Sequence, residues 1–135
     1  MAIRNNALSV NDFEVGDTAY LVCIYCDRYG KQMDIRECEV TKVGSKYVYV
    51  SRTRFSYETK FYRPEGTRNN YLVSTGYGSA TKLFKTEEDA DDFIRTDELR
   101  SKLQQKFRRI AFSRFSLSQL KKIEAILEEV ENDDN

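Results

Sequence analysis

Two hydrophobic periods divide the chain near Lys85. Before it, short runs rich in Val, Ile, Tyr, Phe and Thr lie between turn signals, as strands do. The runs are 18–25, 33–43, 46–55, 57–63, 71–74 and 81–84. Gly16 precedes the first, "DRYGKQ" (27–32) reads as a hairpin turn, and Gly44-Ser45 as a two-residue hairpin. In the second run Cys38 and Val40 share one face, and Glu37, Glu39 and Thr41 the other. The only proline, Pro64, falls in the loop 63–70, and 75–80 is a glycine-bearing loop.

Beyond Lys85 the repeat becomes helical. Thr86 followed by Asp89 caps a short helix carrying Ala90, Phe93 and Ile94, and Thr96 or Asp97 opens the next. There Leu99, Leu103, Phe107 and Ile110 form one apolar stripe. Ser116 and Gln119 make a capping box, with Phe115 and Leu120 placed for a hydrophobic staple. Leu117, Leu120, Ile123, Ile126, Leu127 and Val130 continue that final helix. The short link between the stripes predicts an antiparallel pair, and the acids at 128–134 a frayed tail.

The expected fold is therefore α+β: an SH3-like β-barrel of five to six antiparallel strands over 15–85, followed by a C-terminal helical hairpin over 86–135 packed on it. Residues 1–14 read as a flexible lead. An open twisted sheet covered by the helices is the alternative architecture.

The order "VGDTAYLV…CEVTKVGSKYVYV", "LFKTEEDADDFIRTDELRSKLQQKF" and "FSLSQLKKIEAIL" resembles small uncharacterised proteins of bacteriophages and prophages with an N-terminal β-barrel and C-terminal helices. The matching motifs are structural and span roughly residues 15–130. The resemblance implies a fold and a genomic setting without an active site. It also implies the company of accessory proteins that bind and disable host proteins, defence systems included.

Composition narrows the function classes. At 135 residues the chain can bury a real core. No apolar run approaches the roughly 20 residues that span a bilayer. Residues 1–13 lack a secretory apolar segment, so a cytoplasmic setting is expected, that of the host cell if the gene is phage-borne. There is no histidine, which removes the usual base near neutral pH. Nor is there a nucleophile elbow, Walker A loop or dinucleotide fingerprint. Paired carboxylates such as Glu87-Glu88 fit the first turn of a helix, and a non-enzymatic protein is expected.

Cys23-Ile-Tyr-Cys26 and Cys38 are one ligand short of a zinc site, and no metal or cofactor is expected. Strand alternation places Cys23 inside and Cys26 at the strand's end. The loop "STGYGSATK" (74–82) could cradle a phosphate with Lys82 assisting, although a plain turn accounts for it.

Formal net charge is zero but unevenly spread: 42–68 holds seven cations and two acids, 99–122 eight cations and no acid, and 123–135 six acids and no cation. If Val48, Val50 and Phe61 point inward, Tyr47, Tyr49, Lys60 and Tyr62 share the outer face, edged by Arg52, Arg54, Arg63 and Arg68. Tyr and Arg suit protein interfaces, and rings beside cations suit single-stranded nucleic acid. The favoured expectation is occlusion of a host protein, a nucleic-acid-handling or defence complex, by Tyr47, Tyr49, Arg52, Arg54, Lys60, Tyr62 and Arg63 together with the basic Arg108, Arg109 and Arg114. Nucleic acid on the same face is the first alternative, and sequestration of a small nucleotide at the glycine loop the second. No membrane partner is expected, and the oligomeric state stays open.

Overall fold

The computed structural model of the chain describes residues 7–51, 58–75 and 81–133. Six antiparallel strands close a barrel: β1 (Thr18–Asp27), β2 (Gly30–Val43), β3 (Val48–Ser51), β4 (Glu58–Tyr62), β5 (Leu72–Ser74) and β6 (Lys82–Phe84). They pair in sequence order, and β6 returns to β1 through Tyr20↔Phe84 and Leu21↔Leu83. Closure joins the strands all round the barrel, while among the described residues the outer parts of β1 and β2, residues 23–27 and 30–38, run on as a hairpin paired only within itself. Helix α1 (Glu87–Arg109) follows, then a 3-10 turn (Phe112–Arg114) and α2 (Leu117–Asp133).

The chain divides into two compact units, Met1–Thr96 and Asp97–Asn135. In the first, alternate residues fill the barrel: Ala19 and Leu21 from β1, Val48 and Val50 from β3, Phe61 from β4, Leu83 from β6. The leading residues also serve this core. Leu8, Val10 and Phe13 are buried in it, the Leu8 N–H donates to Asn69 O at 2.9 Å, and Ser9 and Asp12 close a capping box around a 3-10 turn.

Strand β1 is apolar on both faces, which explains its unbroken run of hydrophobic residues. Its outer residues Tyr20, Val22 and Ile24 join Phe84, Ala90 and Phe93, so the start of α1 covers the barrel wall. Tyr71, Phe84 and Phe93 form a ring triangle with centroids 5.4–5.5 Å apart.

Two expectations need correction. Gly44-Ser45 is not a two-residue hairpin: the link runs over 44–47, with the Gly44 N–H donating to Tyr47 O at 2.8 Å. The helix begun under Thr86, whose Oγ accepts from the Asp89 N–H at 3.1 Å, does not restart at Thr96 or Asp97. Neither residue breaks a helix in the absence of Gly or Pro, so the backbone ladder continues. The expected split of β2 is formed, with Cys38 and Val40 buried and Glu37 and Glu39 exposed. A bulge between Val40 and Lys42 turns Val43 inward against Val48.

In the second unit, the predicted capping box of α2 is formed. Ser116 N–H donates to Gln119 Oε1 at 2.9 Å and Gln119 N–H to Ser116 Oγ at 3.2 Å. Phe107, Phe112 and Phe115 pack at the connection, with Phe115 centroids 6.4 and 5.8 Å from the other two. No described residue of this unit is buried.

Candidate functional site

The site is built by the strand pairing of β2, β3 and β4. Val48, Val50 and Phe61 are buried, which turns their neighbours Tyr47, Tyr49, Lys60 and Tyr62 outward. The bulge at Thr41 matters here. It brings Lys42 into register with Tyr49, and Tyr49 is in register with Lys60, so a tyrosine stands between two lysines across three strands. Thr41 holds the bulge by donating its hydroxyl to Tyr49 O at 3.2 Å and by contact with the Glu58 carboxylate.

The rings form a small edge-to-face cluster. Tyr47 lies 6.4 Å from Tyr49 and 6.1 Å from Tyr62, with ring planes crossing at 61° and 60°. Lys60 Nζ lies over Tyr47 at 4.6 Å, and Lys42 Nζ over Tyr49 at 5.2 Å. Among the described residues, no ion pair engages Lys42, Lys46, Lys60 or Arg63. Among the described residues their charge faces outward without a paired acid.

Two open grooves flank the cluster. One, of about 510 Å³, is lined by Ser9, Asn11, Lys46, Tyr47, Tyr62 and Arg63 among others. The second, of about 530 Å³, is lined by Tyr49, Glu58, Thr59, Lys60 and Thr75. Arg63 is partly committed. Its Nε and Nη2 donate to Thr67 O at 3.0 and 2.7 Å, across a turn in which the Thr67 N–H bonds Pro64 O and Gly66 takes φ +82°.

Of the predicted residues, Tyr47, Tyr49, Lys60, Tyr62 and Arg63 are thus brought together. Arg52 and Arg54 lie outside the described residues, as does most of the glycine loop (76–80). Arg108 and Arg109 stand in the last turn of α1, in the second unit. Sequence reasoning missed Lys42, because a bulge leaves no mark in an alternating pattern. It missed Ser9 and Asn11, because the lead was read as free of the barrel; the apolar Leu8, Val10 and Phe13 were the available signal.

Lys82, expected to assist the glycine loop that lies mostly outside the described residues, stands beside aromatic rings. Its Nζ lies over Tyr71 at 5.2 Å and Phe93 at 5.8 Å, and burial there lowers its pKa, with Lys31 adding to the effect. Cys23 is buried, Cys26 exposed, and Cys38 Sγ donates to Ala19 O at 3.5 Å. Among the described residues, no three His, Cys, Asp or Glu side chains gather as a metal site would require. Nor is any described helix long and apolar enough to cross a membrane.

A family model described as the phage ProQ C-terminal-like domain matches residues 1–132. The chain belongs to that family. Phage ProQ C-terminal-like membership agrees with the resemblance to phage and prophage proteins, and the match covers the barrel and both helices. No curated protein and no solved structure matches the chain.

Proposed function

We propose that this phage-family barrel is a non-catalytic binding protein that holds single-stranded nucleic acid across its Tyr47–Tyr49–Tyr62 face. One observation carries the reading: unpaired cations lie over and beside a cluster of half-exposed tyrosine rings on one wall. A single strand offers the complementary pair of groups, flat bases for the rings and phosphates for Lys42, Lys46 and Lys60. The flanking grooves give the backbone a path on either side of the rings. A neutral chain does not oppose this, because the opposing acids are concentrated elsewhere, at 86–98 and 123–135.

The test is fluorescence anisotropy with random single-stranded RNA and DNA and with a duplex, titrated at several salt concentrations. Single strands should bind more tightly than the duplex, with affinity falling linearly in log salt. No binding at about 50 mM salt would remove the proposal, since released counterions give such contacts their greatest strength at low salt.

A second reading keeps the same face and gives it a host protein to occlude. The edge-to-face contacts support it, because rings already held by neighbours lose little freedom on docking. Pull-down from host lysate, treated with nuclease and compared with a Tyr47→Ala, Tyr62→Ala variant, separates the two readings. A protein retained by the parent alone, after nuclease, favours occlusion.

A further inference from the structure

The second unit carries two helical faces that a folded protein does not ordinarily leave in water. On α1 and at the residue just past it, Leu99, Leu103, Phe107 and Ile110 are 38–54% exposed. On α2, Leu117, Ile126, Leu127 and Val130 are 55–69% exposed. Helices of this length draw most of their stability from burying such a face. Contiguous apolar surface of this kind marks an interaction site.

The charges say what covers it. Residues 99–109 of α1 carry five cations and no acid, whereas residues 123–133 of α2 carry five acids and no cation. Both faces occur on every copy of the chain. Within one chain the two stripes do not cover each other, since Leu99, Leu103 and Phe107 and Ile126, Leu127 and Val130 all stay exposed. A twofold arrangement satisfies each with the other copy's counterpart, as an isologous contact requires.

The spacing also matches. Each residue advances a helix by about 1.5 Å, so antiparallel helices stay level when residue numbers sum to a constant. Setting Phe107 level with Ile126 sets Leu103 level with Val130. The same alignment brings Arg100 and Lys102 level with Asp133 and Glu131. Apolar meets apolar and cation meets acid in one register.

We infer that the chain forms a homodimer in which α1 of each copy packs antiparallel against α2 of the other. The apolar stripes supply the area, and the opposed charges fix the register and reject the like-with-like pairings of α1 with α1 or α2 with α2. This inference does not use the tyrosine face, so either can fail without the other.

Charge exchange between copies tests it. One full-length variant carries Arg100→Glu, Lys102→Glu and Lys106→Glu; the other carries Glu128→Lys, Glu131→Lys and Asp133→Lys. Sedimentation velocity and light scattering read the mass of each and of an equimolar mixture. The parent chain should be a dimer with Kd below about 10 μM. Each variant alone has like charges on both faces, so its dimer should weaken at least about tenfold. The mixture should regain dimer mass, because each reversed face then meets its complement. That recovery also shows that neither variant simply failed to fold. A monomeric parent chain overturns the inference, and so do variants that dimerise as tightly as the parent. A mixture that stays monomeric overturns it as well, and circular dichroism showing both variants helical then assigns the complementary charges to helices of the same chain.

Discussion

Lys60 Nζ stands 4.6 Å above the centre of the Tyr47 ring, while the Lys60 backbone is in register with Tyr49 on the neighbouring strand. One lysine thus serves two tyrosines: its pairing places it beside Tyr49, and its length carries its charge over Tyr47. The arrangement follows from strand alternation, which exposes residues 47, 49, 60 and 62 once Val48 and Phe61 turn inward.

Replacing Tyr47 by Ala should weaken single-strand binding by about 1–3 kcal/mol, the range for loss of one stacked base. Lys60→Gln should instead reduce the salt slope by about 0.7, the value for one phosphate on a single strand. Anisotropy at four or more salt concentrations separates the two. Equal slopes for parent and Lys60→Gln would place that ammonium off the phosphate path.

In the free protein the same pair is readable as a coupling. Tyr47→Ala, Lys60→Ala and the double variant, compared by urea unfolding, should give an interaction of about 0.5–1 kcal/mol for an exposed cation–ring contact. Phe61→Ala, on the inner face of the same strand, should cost about 3–5 kcal/mol, because Phe61 is fully buried and leaves a cavity. A cost for Phe61→Ala no larger than that of Tyr47→Ala would mean the two faces of β4 are assigned the wrong way round.

Thr41 ties this face to the fold. Its hydroxyl donates to Tyr49 O and touches the Glu58 carboxylate, joining β2 to β3 and β4 at the bulge. Thr41→Val keeps the shape and removes both contacts. It should cost about 1 kcal/mol of stability, a typical value for a lost hydrogen bond. It should also weaken binding, as Lys42 loses its fixed register with Tyr49. Unchanged binding with lowered stability would leave Lys42 without a role.

What the sequence made legible follows from locality. The inward set Val48, Val50 and Phe61 and the outward tyrosines were readable because alternation needs only neighbours. So was the Ser116–Gln119 cap, a four-residue signal. The inward turn of Val43 was not, because a bulge is decided by the partner strand and costs the sequence no special residue. The burial of Leu8, Val10 and Phe13 depends on a core assembled from strands far along the chain, such as Phe61, Leu72 and Leu83. The continuity of α1 through Thr96-Asp97 was hidden by residues that favour caps but are tolerated within helices.

A last prediction concerns the junction where the chain enters the barrel and where it leaves. Asp17 accepts the Glu14 N–H at 2.8 Å and pairs with Lys85 Nζ at 2.8 Å, while the same ammonium reaches the Asp12 carbonyl and lies 5.1 Å from the Phe13 ring centre. The Lys85 hydrogen bond is the chief reason that the Asp17 carboxyl lies below its ordinary value of 3.8, with the Glu14 N–H second. A carboxyl lowered on folding gives up its proton more readily in the native state. Its stabilising contribution is therefore complete above the unfolded value near 3.8 and is lost as pH falls from there through the lower folded value. Asp17→Asn keeps an acceptor for the Glu14 N–H but removes the charge. Urea midpoints measured between neutral pH and about pH 2.5 should fall less steeply on the acid side for Asp17→Asn than for the parent, with the two curves converging at the acid end. Lys85→Met should flatten the acid limb in the same way, because it removes the cation that holds the carboxyl down. Parallel curves for the parent and both variants across that range would show that Asp17 titrates alike in the folded and unfolded chains, and that the clasp between the leading segment and the end of β6 is not electrostatic.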